Sequence, residues 1–481
     1  MIMKKNSIVL YIVGILLIFE GAFLLLPMFV SLIYRDGNWM WYLLTIGICL
    51  IPGIPLARIK PGKNLSLKEG YIIVALCWVV LSIFGAIPLM LSGDIPNYVD
   101  ALFETVSGFT TTGASILSDV TALSRSGMFW RSFMHWIGGM GIFMFMMAVL
   151  PMLGTSDMNL MRAESTGPSV ERIVPHVRDT ARLMYSMYFG ITIAEMIALL
   201  ISGMDLYSSA LLTFGTVGTG GFGLVNESCG TYTAAQQMII AVFMAASGIN
   251  YTFYFFIISR KIKEAFHIEE VKYYLAIVFT STVIIAINIS HLYQSAGESL
   301  RHAFFQVASI MTTTGYSTAD FDLWPELSRT ILLILMMIGG CSGSTAGGVK
   351  VYRIVLLMKQ FAKELSVLRH PREVKLLRMD GNTVKESVIR STNVFISIYF
   401  VIFFISLLFV SIENYDFTTG FTAVAATINN IGPGLSLVGP TCNYGFFSAY
   451  SKIILIFDML AGRLELFPML LFFSMLKPRR K

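Results

Sequence analysis

Apolar residues run through this chain in long blocks separated by short polar stretches, and the blocks fall into two length classes. Blocks 8–33, 40–56, 71–91, 129–152, 181–201, 238–258, 273–289, 394–411 and 452–475 can each cross about 30 Å of hydrocarbon at about 1.5 Å per residue. Block 330–361 is long but interrupted by Gly339 to Gly348, GGCSGSTAGG. Between the long blocks lie shorter apolar segments, 98–109, 206–217, 300–311 and 416–427, which cannot span and must turn back. The pattern predicts an all-α polytopic membrane protein.

Each short segment ends at a glycine break. The breaks read Thr-Gly-Ala-Ser, Thr-Gly-Gly-Phe, Thr-Gly-Tyr-Ser and Ile-Gly-Pro-Gly, with lead glycines Gly113, Gly220, Gly315 and Gly432. Their spacing of roughly a hundred residues is an internal repeat longer than that of solenoids. Non-helical backbone at membrane depth is tolerated only where it is buried in protein or lines water. One such break also suits close helix packing. Four, each between a short segment and a full span, point to a ring of backbone carbonyls around one ion. Asp205, Glu298 and Asp416 sit near the starts of short segments, where acids favour a helix N-terminus. The carbonyl ends then face the breaks and favour a cation.

The expected architecture is an accessory helix pair (1–66) followed by four helix–pore loop–helix repeats in pseudo-fourfold array, 67–155, 156–262, 263–378 and 379–481. The expected ligands are the carbonyls of Thr111, Thr112 and Gly113; Thr219 and Gly220; Thr313, Thr314 and Gly315; and Asn430, Ile431 and Gly432. Neutral oxygens suit a dehydrated monovalent cation, whereas a divalent ion is better served by carboxylates, which these loops lack. The extra glycines Gly218 and Gly223 are expected to loosen the second loop.

Composition agrees. Of 481 residues, 55% are hydrophobic and 13% charged, and mean hydropathy is +0.71, too little polar surface for a soluble globule. Lys and Arg concentrate in every second loop: Arg58 to Lys68, Arg162 to Arg178, Arg260 to Lys263, Lys350 to Arg390 and Lys477 to Lys481. That bias puts both termini in the cytoplasm and implies ten spans. The first block follows Lys4 and Lys5 but is too long for a signal peptide. The net charge of +6 reflects topology and lipid attraction, not nucleic-acid binding.

Enzyme and metal motifs do not emerge. Five cysteines form no C-x-x-C pair, although Cys229 and Cys442 fall on expected outer loops and could pair. Six scattered histidines give no triad or metal spacing. Gly218, Gly220 and Gly223 match a dinucleotide fingerprint but lie between membrane helices, and 343–350 lacks the Gly-Lys-Ser/Thr of a phosphate loop. No nucleotide site is expected.

The four loops, the stretch MRAESTGP at 161–168 and GGCSGSTAGGVKVYR at 339–353 resemble the TrkH/TrkG potassium-uptake subunits of the Trk/Ktr/HKT superfamily. The resemblance spans essentially the whole length. It implies K⁺ uptake by a homodimer in the bacterial inner membrane, gated by a cytoplasmic nucleotide-binding ring protein of TrkA type. It also implies an intramembrane gate built from Gly339, Gly340, Ser342, Gly343, Ser344, Thr345, Gly347, Gly348 and Lys350, with Arg463 in the path. A plain packing seam at the glycine cluster, and an ion pair of Arg463 with Asp458 or Glu465, remain the competing structural readings. A secondary transporter with broken helices and alternating access is the competing functional one; it predicts two inverted halves where this chain shows four parallel units. Glu195 and Asp458 are each candidates for a proton site or a structural partner.

Overall fold

A computed structural model describes residues 2–59, 67–141, 177–370 and 376–476. The stretch 161–168 and the basic residues Lys60, Lys63, Arg162, Arg172 and Lys477 to Lys481 lie outside the described residues. Apart from a small antiparallel ladder pairing Arg378–Met379 with Asn382–Thr383, every described regular element is helical.

Two long helices, Ile2–Tyr34 and Trp39–Ala57, pack along each other as the accessory pair. Outer helices then open the repeats: Leu67–Gly85, Val177–Ile201, Glu269–Asn288 and Glu386–Val410. The pore helices follow as Tyr98–Phe109, Leu206–Val217, Ala296–Met311 and Phe417–Ile428. At 12 residues, the first, second and fourth are too short to cross the bilayer. Inner helices complete the repeats, beginning at Arg125, Ala234, Glu326 and Ala449.

The packing is cyclic. Each pore helix contacts the inner helix of its own repeat and that of the repeat before it, so pore helix 1 touches inner helices 1 and 4. A chain of four such units closes on itself, which is the pseudo-fourfold array the repeat spacing predicts.

Side-chain caps fix where the pore helices start. Asn97, Asp205, Ser295 and Asp416 accept from backbone N–H groups of their first turns. The third pore helix therefore starts at Ala296, four residues before the apolar pattern suggests, because Ser295 rather than Glu298 caps it. The backbone N–H of Ser208 holds the Asp205 carboxyl below its usual pKa of 3.8. That contribution is present above the ordinary range and is lost as pH falls through the lowered value. Asp205→Ala is expected to cost about 1 kcal/mol and to flatten the acid limb of the thermal-unfolding profile in detergent; an unchanged limb would count against the cap.

The inner helices correct the sequence reading. Blocks 238–258 and 452–475 read as continuous spans, yet each breaks like the third; block 129–152 beyond Gly141 lies outside the described residues. Inner helix 1 (Arg125–Met140) stops at Gly141, with φ 84°. Inner helix 2 divides into Ala234–Ser247 and Tyr251–Ile258, bent by 96°, and Asn250 caps the new segment through Thr252 N at 2.8 Å. Inner helix 3 divides into Glu326–Ile338 and Val351–Arg369, and inner helix 4 into Ala449–Arg463 and Phe467–Leu476. Average hydropathy reports composition and is blind to caps that re-satisfy a broken backbone. Among the described residues, six helices are long and apolar enough to cross a membrane, or seven counting the bent pair. The chain is a multi-pass membrane protein. Cys229 is buried and Cys442 exposed, both as free thiols.

Candidate ion pore

All four pore helices end in the same way. Residues Thr111, Thr219, Thr313 and Asn430 each have φ 55°. Each donates its N–H three residues back, to Gly108, Thr216, Ile310 and Thr427 respectively. The next residue, Thr112, Gly220, Thr314 or Ile431, donates five residues back, to Ser107, Gly215, Ser309 or Ala426, at 2.7–2.9 Å. This pair of bonds is the Schellman closure, whose left-handed residue is ordinarily glycine or asparagine. Three β-branched threonines stand there instead, a backbone cost of about 1–3 kcal/mol each that surrounding structure must hold in place.

The closures set the register. Thr111, Thr219, Thr313 and Asn430 are equivalent, as are Thr112, Gly220, Thr314 and Ile431. The following glycines are Gly113, Gly221, Gly315 and Gly432, with φ of 76°, 78°, 87° and 96°. The lead glycine of the second loop is thus Gly221, one residue later than the Thr-Gly dipeptide suggests. Matching dipeptides aligned Gly220 with the wrong column because that loop carries glycine at both positions.

These glycines lock the loops together. A Cβ on Gly113 would strike the carbonyl oxygen of Gly220; one on Gly221, that of Thr314; one on Gly315, that of Ile431; and one on Gly432 would lie 2.7 Å from that of Thr112. The contacts run from loop 1 to 2, 2 to 3, 3 to 4 and 4 back to 1. Four equivalent oxygens therefore form a closed ring. Among the described residues none of the four accepts a hydrogen bond, although Thr112, Gly220, Thr314 and Ile431 are all buried. All four register glycines line one cavity of about 100 Å³ on the side where the loops return. The Gly432 carbonyl is engaged behind its loop by the Tyr444 hydroxyl at 2.7 Å.

On the other side of the ring lies the break in inner helix 3. Gly347 N donates to Thr313 Oγ1 at 2.6 Å, and a Cβ on Gly347 would sit 2.5 Å from Asn429 O. Gly339, Gly343 and Gly348 have φ of 76°, 69° and 80°. Gly340 faces Ala346, Ser344 Oγ donates to Cys341 O at 2.6 Å, and the buried Lys350 Nζ donates to Ala346 O. Glu270 clasps both ends of the loop, accepting from Ser342 N at 2.6 Å and Tyr352 N at 3.0 Å. The cluster is a folded loop against the ring, not a seam of close-packed helices.

Arg463 reaches the same place from inner helix 4. Its guanidinium donates to Thr345 O at 2.9 Å and to Gly138 O and Gly139 O at 2.6 Å each. Both candidate acids have other partners: Ser406 donates to Asp458, and Glu465 pairs with Arg353. Arg463 thus ties the loop of repeat 3 to the end of inner helix 1.

Several residues here escape sequence reasoning. Arg131 and His135 on inner helix 1, Glu104 on pore helix 1 and Glu270 on outer helix 3 are all buried. A charge at helical depth in an apolar block was their available signal, but spacing alone does not reveal which loops they touch. Among the described residues no cluster of three or more His, Cys, Asp or Glu side chains could hold a metal ion.

Comparison with known proteins bears on this geometry. The family model for TrkH, cation transport protein, matches residues 43–481. The chain belongs to the TrkH family. Relatives within the family include the Trk system potassium uptake protein TrkH of Escherichia coli K12, 37% identical across 96% of this chain and 97% of that one. TrkG of the same strain is 33% identical across 97% of each. The crystal structure of the potassium transporter TrkH from Vibrio parahaemolyticus superposes with a TM-score of 0.87 at 33% identity, covering 99% of both chains. As a TrkH-family member the chain is a transport protein and not an enzyme.

Proposed function

We propose that the chain carries K⁺ into the cell through the ring formed by Thr112, Gly220, Thr314 and Ile431. One observation carries this reading: four buried, equivalent carbonyl oxygens, without hydrogen-bond partners among the described residues, joined loop to loop in a closed cycle. A buried carbonyl left unpaired is costly. A dehydrating cation supplies the missing partner, and the oxygens replace its lost water. The pore helices add to this, since their C-terminal ends carry partial negative charge. The flanking carbonyls of Thr111, Thr219, Thr313 and Asn430, and of Gly113 and Gly315, complete the filter, with Gly221 taking the place in register first given to Gly220; the Gly432 carbonyl, held by Tyr444, braces the fourth loop instead. The named potassium uptake relatives fit this cargo.

The loop from Gly339 to Lys350 is the gate and Arg463 its lock. The loop lies against Thr313 and Asn429, on the route an ion takes after leaving the ring. Opening moves the loop and parts Arg463 from its three carbonyls. The protein works as a homodimer in a bacterial inner membrane, both termini cytoplasmic, under a TrkA-type nucleotide-binding ring partner that drives the gate. Fixed backbone breaks in four parallel repeats favour this over alternating access.

Radioactive Rb⁺ uptake into liposomes holding the purified protein, in competition with K⁺, Na⁺ and Li⁺, tests the reading. K⁺ should compete at about tenfold lower concentration than Na⁺. Equal competition by all three ions would contradict it.

A further inference from the structure

The second filter loop should be the weakest quarter of the ring. It carries Gly218, Gly220, Gly221 and Gly223 within six positions, and glycine-rich backbone has the most conformational freedom to lose. Its neighbours in the fold are what restrain it. Arg131 donates Nη1 to Gly223 O at 3.0 Å, and its guanidinium lies 3.6 Å from the centre of the Phe222 ring. Four residues along inner helix 1, and so on the same face, His135 bonds Gly108 O through Nδ1 at 2.8 Å. Because the carbonyl can only accept, Nδ1 carries the proton and Nε2 is left to accept from Phe222 N, at 3.3 Å. The imidazole also packs beside Gly220, where a Cβ would strike it.

The same arginine is anchored to the first loop. Arg131 Nε donates to Glu104 Oε1 at 2.5 Å. That carboxylate also accepts from Ser115 Oγ at 2.9 Å and, through Oε2, from Ile116 N at 3.0 Å, just past Gly113. Both side chains of the pair are almost fully buried, at 2% and 0% exposure. A buried ion pair is weak as a source of stability, because desolvation offsets the attraction. What this one supplies is geometry: one guanidinium holds loops 1 and 2 at a fixed separation. Neutral backbone groups join loops 2 and 3, Cys229 N to Ser317 O, and loops 4 and 1, Tyr444 N to Ser115 O, while loops 3 and 4 meet through Ser436 N donating to the Asp322 carboxylate at 3.0 Å.

We propose that Glu104, Arg131 and His135 are positioning residues for ion discrimination, a bracket that makes the glycine-rich second loop stiff enough to reject Na⁺. The inference rests on the carbonyl-ring reading above. A ring that can relax inward around a smaller ion loses its preference for K⁺, and the loop richest in glycine is the one that would relax. The bracket touches two loops beside the ring, and Arg131 also lines the cavity at the register glycines.

Arg131→Lys keeps the charge opposite Glu104 but loses the planar fork that reaches Gly223 and lies on Phe222. Its ratio of Rb⁺ to Na⁺ uptake in liposomes should fall about fivefold to tenfold, with Rb⁺ uptake itself within about threefold of the unaltered protein. Glu104→Gln combined with Arg131→Gln removes the pair without leaving a lone buried charge, and should lower the ratio equally. His135→Ala should do so by a smaller factor. As a control, Lys452→Arg alters the half-buried pair with Asp100, away from loop 2, and should leave the ratio unchanged. An unchanged ratio in folded Arg131→Lys and in the folded double variant overturns the proposal. Failure of both to fold also overturns it, since the pair is then a folding element. If the unaltered protein itself does not separate Rb⁺ from Na⁺, the carbonyl-ring reading fails, and that outcome is distinct from loss of the bracket.

Discussion

Gly315→Ala is expected to lower Rb⁺ uptake by about a hundredfold or more, which at about 1.4 kcal/mol per factor of ten corresponds to about 3 kcal/mol. The added methyl meets two obstacles. The backbone at this position has φ 87°, which L side chains rarely adopt. The Cβ would also collide with the Ile431 carbonyl and come within 2.9 Å of Pro433 Cδ, so an oxygen of the ring must turn away. Gly221→Ala should be as damaging, through the Thr314 carbonyl. Gly203→Ala separates the two causes. Its φ is 89° with nothing within 4 Å of a Cβ, so it carries backbone strain of about 1 kcal/mol alone and should leave uptake nearly intact. Equal losses at Gly203 and Gly315, with both proteins folded, would mean that strain and not the ring explains the effect.

Arg463→Ala should act in the opposite direction. Three charge-assisted hydrogen bonds join this guanidinium to Thr345 O in the loop proposed as the gate and to Gly138 O and Gly139 O. Each such bond contributes about 1.5–3 kcal/mol, and losing the net value of one shifts a closed-to-open equilibrium by about tenfold or more. Rb⁺ uptake without any partner protein should therefore rise about tenfold. The alanine also removes a fixed positive charge from the proposed cation path, which adds to the gain. Arg463→Lys, a single-point donor, should give an intermediate rise. Folded Arg463→Ala protein with unchanged or lower uptake would show that the arginine does not hold the gate shut.

The sequence makes the fold legible where length and composition decide it. Pore helices 1 and 2 occupy the predicted 98–109 and 206–217, because a short apolar run flanked by caps has few alternatives. Breaks in inner helices 2 and 4 escape notice, since Asn250 and the closure of Leu466 N on Ala461 O re-satisfy the backbone without changing hydropathy. The loop register slips by one in repeat 2 for a related reason. What aligns the loops is the φ 55° residue, and Thr219 occupies it without any glycine to mark it. Glu104, Arg131 and His135 are distant in sequence from the loops they hold, so only the folded chain brings them together. Arg463 is legible as a buried charge, but its three carbonyl partners come from segments more than 100 residues away.

The most direct measurement is an ion-soaked structure: crystals of the protein in RbCl, with anomalous difference maps collected at the rubidium edge. The ring predicts a peak coordinated by the oxygens of Thr112, Gly220, Thr314 and Ile431, weakened when NaCl replaces RbCl and absent in Gly315→Ala. Ordered Rb⁺ elsewhere in the membrane region, with that position vacant in protein that still transports, would contradict it.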